Sequence, residues 1–211
     1  MLDVSKRPRA RIGDPMRLFP WVLTKLYTLW LRATYPFAYI GRNLSIHYTC
    51  LLNRAMAPQI RLGSSLIIKK DVWLNPVGEV TGELKIIIND NCRIGERSIM
   101  SAKNSIHLER DVILDTSVLI MDHSHAYEDI GRPIREQGAP PGGRIRIGQG
   151  CRIGHGAAIV CPRGELILGR DCIVAPNSLV IASAPANCLI SGNPARVIEK
   201  LEPAKANLVP A

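Results

Sequence analysis

The chain has 211 residues, 46% of them hydrophobic, and its 27 Lys and Arg against 18 Asp and Glu give a formal charge of +9. That length and composition allow one sizeable core and exclude a disordered or low-complexity chain. The positive excess favours an acidic partner, whether a phosphorylated cofactor, an anionic membrane surface or nucleic acid, without choosing between them.

Residues 1–45 form the first expected unit, a helical and aromatic segment. Phe19, Trp21, Tyr27, Trp30, Tyr35, Phe37, Tyr39 and Tyr48 are eight of the ten aromatic residues of the chain. Pro20 suits a helix start and Pro36 a stop, with Leu18, Val22, Leu26 and Leu29 at helical spacing between them. Lys25 and Arg32 interrupt a run that is already too short to cross a bilayer, and no signal-peptide cleavage pattern follows it. Two roles fit: a cap over the open end of the next domain, or, with Lys6, Arg7, Arg9, Arg11 and Arg17 beside it, a surface that rests on an anionic membrane.

Residues 46–190 keep a six-residue period. Apolar markers recur at Ile68, Leu74 and Val80, then Ile88, Ile94 and Met100, then Leu108, Leu114 and Ile120, then Ile147, Ile153 and Ile159, and finally Leu168, Val174 and Val180. A period of six is foreign to a helix of 3.6 residues per turn and suits short strands joined at tight corners, three to a coil of a parallel β-helix. Extra residues fall after the third marker of each group, at 81–87, 101–107, 121–146 and 160–167, so the insertions should leave one corner of the prism as a ridge. The longest, 121–146, contains "MDHSHAYEDIGRPI", and loops on a rigid scaffold are where sites are usually built. Residues 191–211 make a C-terminal extension.

The cysteines, Cys50, Cys92, Cys151, Cys161, Cys172 and Cys188, include no CxxC pair and no metal-ligand spacing, which points to reduced core thiols of a cytoplasmic protein.

The loop "DHSHAYED" with its following "RPI", the resumption "IRIGQGCRIGHGAAIV" and the ending "SAPANCLISGNPARVIEK" resemble the left-handed β-helix acyltransferases, and among them the sugar and glycan O-acetyltransferases. The resemblance covers about residues 60–200 and implies a mainly β fold with left-handed coils, a homotrimer with the donor cleft between subunits, acetyl-CoA as acyl donor with no metal, and a hydroxyl of a sugar, glycan or lipid-linked glycan precursor as acceptor. Neither nucleic acid nor a covalent acyl-cysteine is implied.

Aligned on coil phase, the family's catalytic histidine falls five residues after Ile120, on His125, where an imidazole can take the proton of the attacking hydroxyl. Asp122, Glu128 or Asp129 could orient that ring. His123, Asp122, Lys103, Asn104 and His107 are the candidate acceptor contacts. Arg152, His155, Arg196 and Lys200 are the candidate donor contacts, Arg196 and Lys200 as charge-assisted partners of phosphate. Arg152 stands where many relatives have tryptophan, and Ile181 and Ala182 replace a common Thr-Lys pair. The competing readings are a non-catalytic β-helix scaffold or membrane adaptor, a γ-type carbonic anhydrase using three histidines, and a serine acetyltransferase, whose large helical domain the short N-terminal segment does not match. The expected place of work is the cytoplasm, with peripheral contact to the inner face of the membrane.

Overall fold

A computed structural model describes residues 15–202. Lys6, Arg7, Arg9 and Arg11 therefore lie outside the described residues.

Three parallel sheets wrap one core. The first holds Tyr39–Ile40, Ile60–Leu62, Ile86–Ile88, Ser105–Leu108, Arg144–Ile147 and Glu165–Leu168. The second runs through Ser45–Ile46, Ile67–Ile68, Arg93–Ile94, Ile113–Leu114, Arg152–Ile153, Ile173–Val174 and Cys188–Gly192, and Ala195–Lys200 turns back antiparallel to close it. The third holds Leu51–Leu52, Trp73–Pro76, Ile99–Ala102, Leu119–Met121, Ala158–Val160 and Leu179–Val180. Each coil visits the sheets in that order, and strands of successive coils pair in register, so that Ile46, Ile68, Ile94, Leu114, Ile153 and Val174 stack in a column. These inward residues are essentially dry, and each buried Ile or Leu contributes roughly 1.5–3 kcal/mol relative to exposure.

Two corners are uniform because each turn needs a left-handed residue at one place. Asn43, Ser65, Asn91, Asp111, Asp171 and Asn187 sit at φ between 56° and 61° at the corner from first to second sheet, with Gly150 in the same role. Short polar side chains and glycine tolerate that conformation best. The glycine of the recurrent "IG" has a different cause. A Cβ on Gly154 would meet the nitrogen of Pro176 in the next coil at 2.6 Å, so the coils can stack there only without a side chain.

The periodic reading needs two corrections. Val80 is 54% exposed; the second coil is Leu62, Ile68 and Leu74, and Val80 falls six residues on by coincidence, inside a loop. An additional first coil is built from Ile40, Ile46 and Leu52, so the β-helix starts before residue 46. With the phase so adjusted, the insertions at 53–59, 77–85, 103–104, 122–143 and 161–164 all join the third sheet to the first, and 181–183 leads from the third sheet to Ala184, which bridges the first-sheet residue Leu168. They leave one corner, stacked at ~4.8 Å per coil.

The N-terminal helix α1 (Pro15–Thr34) begins five residues earlier than its sequence suggests and contains Pro20. It lies across the end of the first coil. Thr28 Oγ1 accepts the N–H of Ile46 at 3.0 Å and donates to the Ile46 carbonyl at 3.2 Å, while Arg32 donates to the Gly41 carbonyl at 2.8 Å. Leu31, on the same helix, is fully buried in the core. The helix thus satisfies strand edges that would otherwise be open.

Candidate active site

The ridge concentrates the polar chemistry at the root of the long loop. Ile120 points into the core and Met121 outward, and the strand then ends, so Asp122 turns inward at the corner with no exposure. A buried carboxylate must be hydrogen-bonded. Its Oδ1 accepts the backbone N–H of Lys103 at 2.7 Å and its Oδ2 that of Asn104 at 2.8 Å. Both donors come from the two-residue insertion one coil below. Oδ1 also faces His123 Nδ1 at 2.9 Å.

That contact sets the imidazole. A carboxylate can only accept, so Nδ1 carries a proton, and in the neutral ring Nε2 is the nitrogen that keeps its lone pair. Nε2 has no hydrogen-bond partner among the described residues, and the His123 side chain keeps 16% of its surface. The group is a held, partly sheltered imidazole whose second nitrogen is left without a partner among the described residues.

His125 stands differently. It is exposed, and its ring has no hydrogen-bond partner among the described residues. None of the three acids expected to orient it does so. Asp122 is taken by His123, Glu128 pairs with Arg163 one coil above, and Asp129 is bound within its own loop to the N–H of Gly131. Coil phase locates the loop but not the direction of side chains within it, because period ends where the strand ends. The "DH" pair is visible in the sequence, and the structure makes it an acid at a corner whose lower neighbour offers two consecutive amide N–H groups.

Lys103 and Asn104 brace the loop. Lys103 Nζ donates to the Ala139 carbonyl at 2.6 Å and Asn104 Nδ2 lies 3.4 Å from that of Gly142. His107 belongs to a first-sheet strand and not to the insertion; its Nε2 lies 3.0 Å from Asn89 Nδ2 on the outer face. Burial and the neighbouring Arg146 hold its imidazole below the ordinary histidine value.

The donor candidates occupy two further places. Arg152 projects from the second sheet and pairs with Asp115 at 3.0 Å. With His155, Lys69 and Arg93 it lines a groove of about 300 Å³. Arg196 lies on the closing antiparallel strand beside Ile181 and Ala182, in a second groove of about 370 Å³, and Lys200 is exposed farther along that strand. Within one chain Arg152 and His155 stand on the second sheet, across the prism from His123, whereas the Arg196 groove is lined by residues 181–184, above the corner that carries the His123 loop. Among the described residues no three His, Cys, Asp or Glu side chains form a metal-holding cluster. The six cysteines are buried, and several thiols donate to a carbonyl of the next coil, as Cys92 does to Glu109 at 3.0 Å. Burial pushes the Cys50 and Cys92 thiols up to about 12, so neither is an available nucleophile.

No family model matches the chain. Among curated proteins it is 28% identical over 121 residues to WbbJ of Escherichia coli (strain K12), assigned to O-acetyl transfer in lipopolysaccharide biosynthesis, covering 54% of this chain and 60% of that protein. It is 27% identical over 194 residues to Rv3034c of Mycobacterium tuberculosis, assigned as an acetyltransferase, covering 85% of this chain and 58% of that one. The chain thus spans somewhat over half the length of these relatives. Among solved structures it shares its fold with AntD, an N-acyltransferase from Bacillus cereus in complex with dTDP and 3-hydroxybutyryl-CoA, at TM-score 0.67 and 15% identity over 83% of this chain and 88% of that one. The hexapeptide-repeat acetyltransferase VCA0836 of Vibrio cholerae, complexed with acetyl coenzyme A, aligns at TM-score 0.54 and 20% identity over 85% and 78%. With its six stacked coils and corner loop, the chain is thus a parallel β-solenoid that is similar in sequence to curated acetyltransferases and in fold to solved acyltransferases.

Proposed function

We infer that the chain is an acyl-CoA-dependent O-acetyltransferase that moves an acetyl group to a hydroxyl of a sugar or glycan, with the Asp122–His123 pair as its base. Its relatives support the reaction class, since WbbJ is assigned to O-acetyl transfer and AntD and VCA0836 were solved with CoA derivatives. The observation that carries the base is the 2.9 Å contact between His123 Nδ1 and a buried carboxylate.

In this reading acetyl-CoA supplies the activated acyl group. Nε2 of His123 takes the acceptor's hydroxyl proton as that oxygen attacks the thioester carbonyl. Asp122 stabilises the imidazolium that forms and keeps its orientation. The same nitrogen returns the proton to the departing sulfur, leaving the acetyl ester and the free thiol. Arg196 and Lys200, and from the other groove Arg152 and His155, are the residues offered to the donor's phosphates and pantetheine arm. Lys103 and Asn104 shape the acceptor side, with His107 near it.

The separation of Arg152 and His155 from His123 across the prism favours a homotrimer. The outward column of the third sheet is Leu51, Trp73, Ile99, Leu119, Ala158 and Leu179, apolar at every coil. Cyclic packing of that column against a neighbour would bring donor residues of one copy towards the ridge of another. Light scattering on the wild type and on Leu119→Glu tests this, and a fully active monomer would refute it.

The experiment for the base is CoA release from acetyl-CoA with a panel of sugars, nucleotide sugars and glycans. His123→Ala should lose ~10²–10⁴-fold in kcat, and His125→Ala should stay within several-fold of wild type. The reverse pattern, in two well-folded variants, would move the base to His125, as coil phase suggests.

A further inference from the structure

The outer face of α1 has no use in the fold. The face on the prism carries Thr24, Thr28 and Leu31, which are buried or hydrogen-bonded to the first coil. At 100° per residue, the opposite face is Phe19, Val22, Leu26, Leu29 and Trp30, and Phe19, Leu26 and Leu29 are 66%, 58% and 63% exposed. A patch of this kind, continuous along a helix, marks an interaction surface.

Charge identifies the occupant. The helix contains Arg17, Lys25 and Arg32 and no acidic residue, and residues 1–34 as a whole carry seven basic side chains against two acidic. More than half of the chain's excess of +9 therefore lies in this stretch. Arg32 is held by the Gly41 carbonyl, but an apolar, aromatic face flanked by Lys25, on a segment with this basic excess, fits the interface of an anionic bilayer. No helix among the described residues is long and apolar enough to cross one.

We propose that the exposed face of α1 docks the protein end-on to an anionic membrane surface, so that the acceptor is a glycan carried on a lipid of that membrane. The second half rests on the acetyl-transfer reading above. Because α1 lies across the end of the first coil, docking sets the β-helix axis away from the bilayer. His123 leaves the fourth coil, three steps of ~4.8 Å above the first, and the helix adds its own thickness of ~10 Å. The base then works ~15–25 Å above the headgroups, within reach of a sugar several units out from its lipid. A cyclic trimer would place three such helices on one side, multiplying a weak individual affinity.

The test uses the full chain and vesicles of phosphatidylcholine with or without phosphatidylglycerol. The wild type should sediment with the anionic vesicles and be released by 0.5 M salt; Leu26→Gln/Leu29→Gln should lose at least tenfold in partitioning, with its melting temperature and its CoA release on a water-soluble acceptor unchanged. An oligosaccharide on a synthetic lipid in those vesicles should be a better acceptor than the same oligosaccharide free, for the wild type only. Absence of vesicle binding, or a double variant whose oligomeric size falls instead, would overturn the docking and make the face a contact between copies. Vesicle binding without a preference for the lipid-borne acceptor would overturn the substrate half. Vesicle binding with no CoA release on any acceptor would sink the acetyl-transfer reading while leaving the docking in place.

Discussion

Two corners of this prism are nearly identical from coil to coil, and the third never repeats. At the uniform corners, polar left-handed residues and glycines pressed against the next coil leave the chain no freedom. At the third, insertions of two to more than twenty residues leave the stack without disturbing the strands on either side. The difference teaches that regularity and chemistry are held in separate places. A side chain at a uniform corner answers to the coil above it, whereas one on the ridge answers to whatever the neighbouring loops present.

The contrast can be broken most severely at a glycine of the uniform corners. Gly154→Val would drive a branched side chain into the backbone near Pro176 and should cost more than ~4 kcal/mol, enough to abolish cooperative unfolding in a urea titration. Asp122→Ala comes next. It strips three N–H donors of their shared acceptor, and should lower stability by ~2–4 kcal/mol in the same titration, with loss of turnover. Asp122→Asn should keep more of the stability but little of the rate, since an amide can still accept but holds no imidazolium.

Lengthening the ridge should be nearly free. Three residues inserted after Gly138, where a side chain would meet nothing within 4 Å, should lower the unfolding free energy from a urea titration by less than ~0.6 kcal/mol. The same insertion after Gly154 should unfold the protein. The smallest effect sharpens the comparison on a strand. His107 has its folded value held below the ordinary ~6.5 by burial and Arg146, so the fold favours its neutral form. Its contribution is intact above the ordinary value and is lost as pH falls through the folded one. His107→Gln should therefore show a smaller drop in melting temperature between pH 7 and pH 5 than the wild type.

The sequence disclosed what repetition controls. Fourteen of the fifteen markers lie on the coil columns, and even the misplaced Val80 keeps its insertion at the right corner. It hid what only neighbouring coils determine. The first coil is obscured because Ile40 and Leu52 pack only partly against the core, alongside Tyr27, Tyr35 and Phe37, so its markers read as part of the aromatic segment. Coil phase selects His125 over His123, and the carboxylate contact that sets His123 apart depends on amides nineteen and eighteen residues before Asp122 in the chain. Helix α1 was legible as a cap from its position, and its free face only from its exposure.

The cysteines give the fold an internal gauge of how it comes apart. Cys50, Cys92, Cys151, Cys172 and Cys188 occupy successive heights from the capped end to the antiparallel strand, all buried and without disulfides. In a stack whose stability is nearly a sum over neighbours, breathing begins at the ends and travels inward. A thiol reagent applied under native conditions would then label the sites in order of height, and mass spectrometry would read which end opens first. Should Cys50 be blocked later when anionic vesicles are present, the same labelling would show the membrane acting as a lid on fraying.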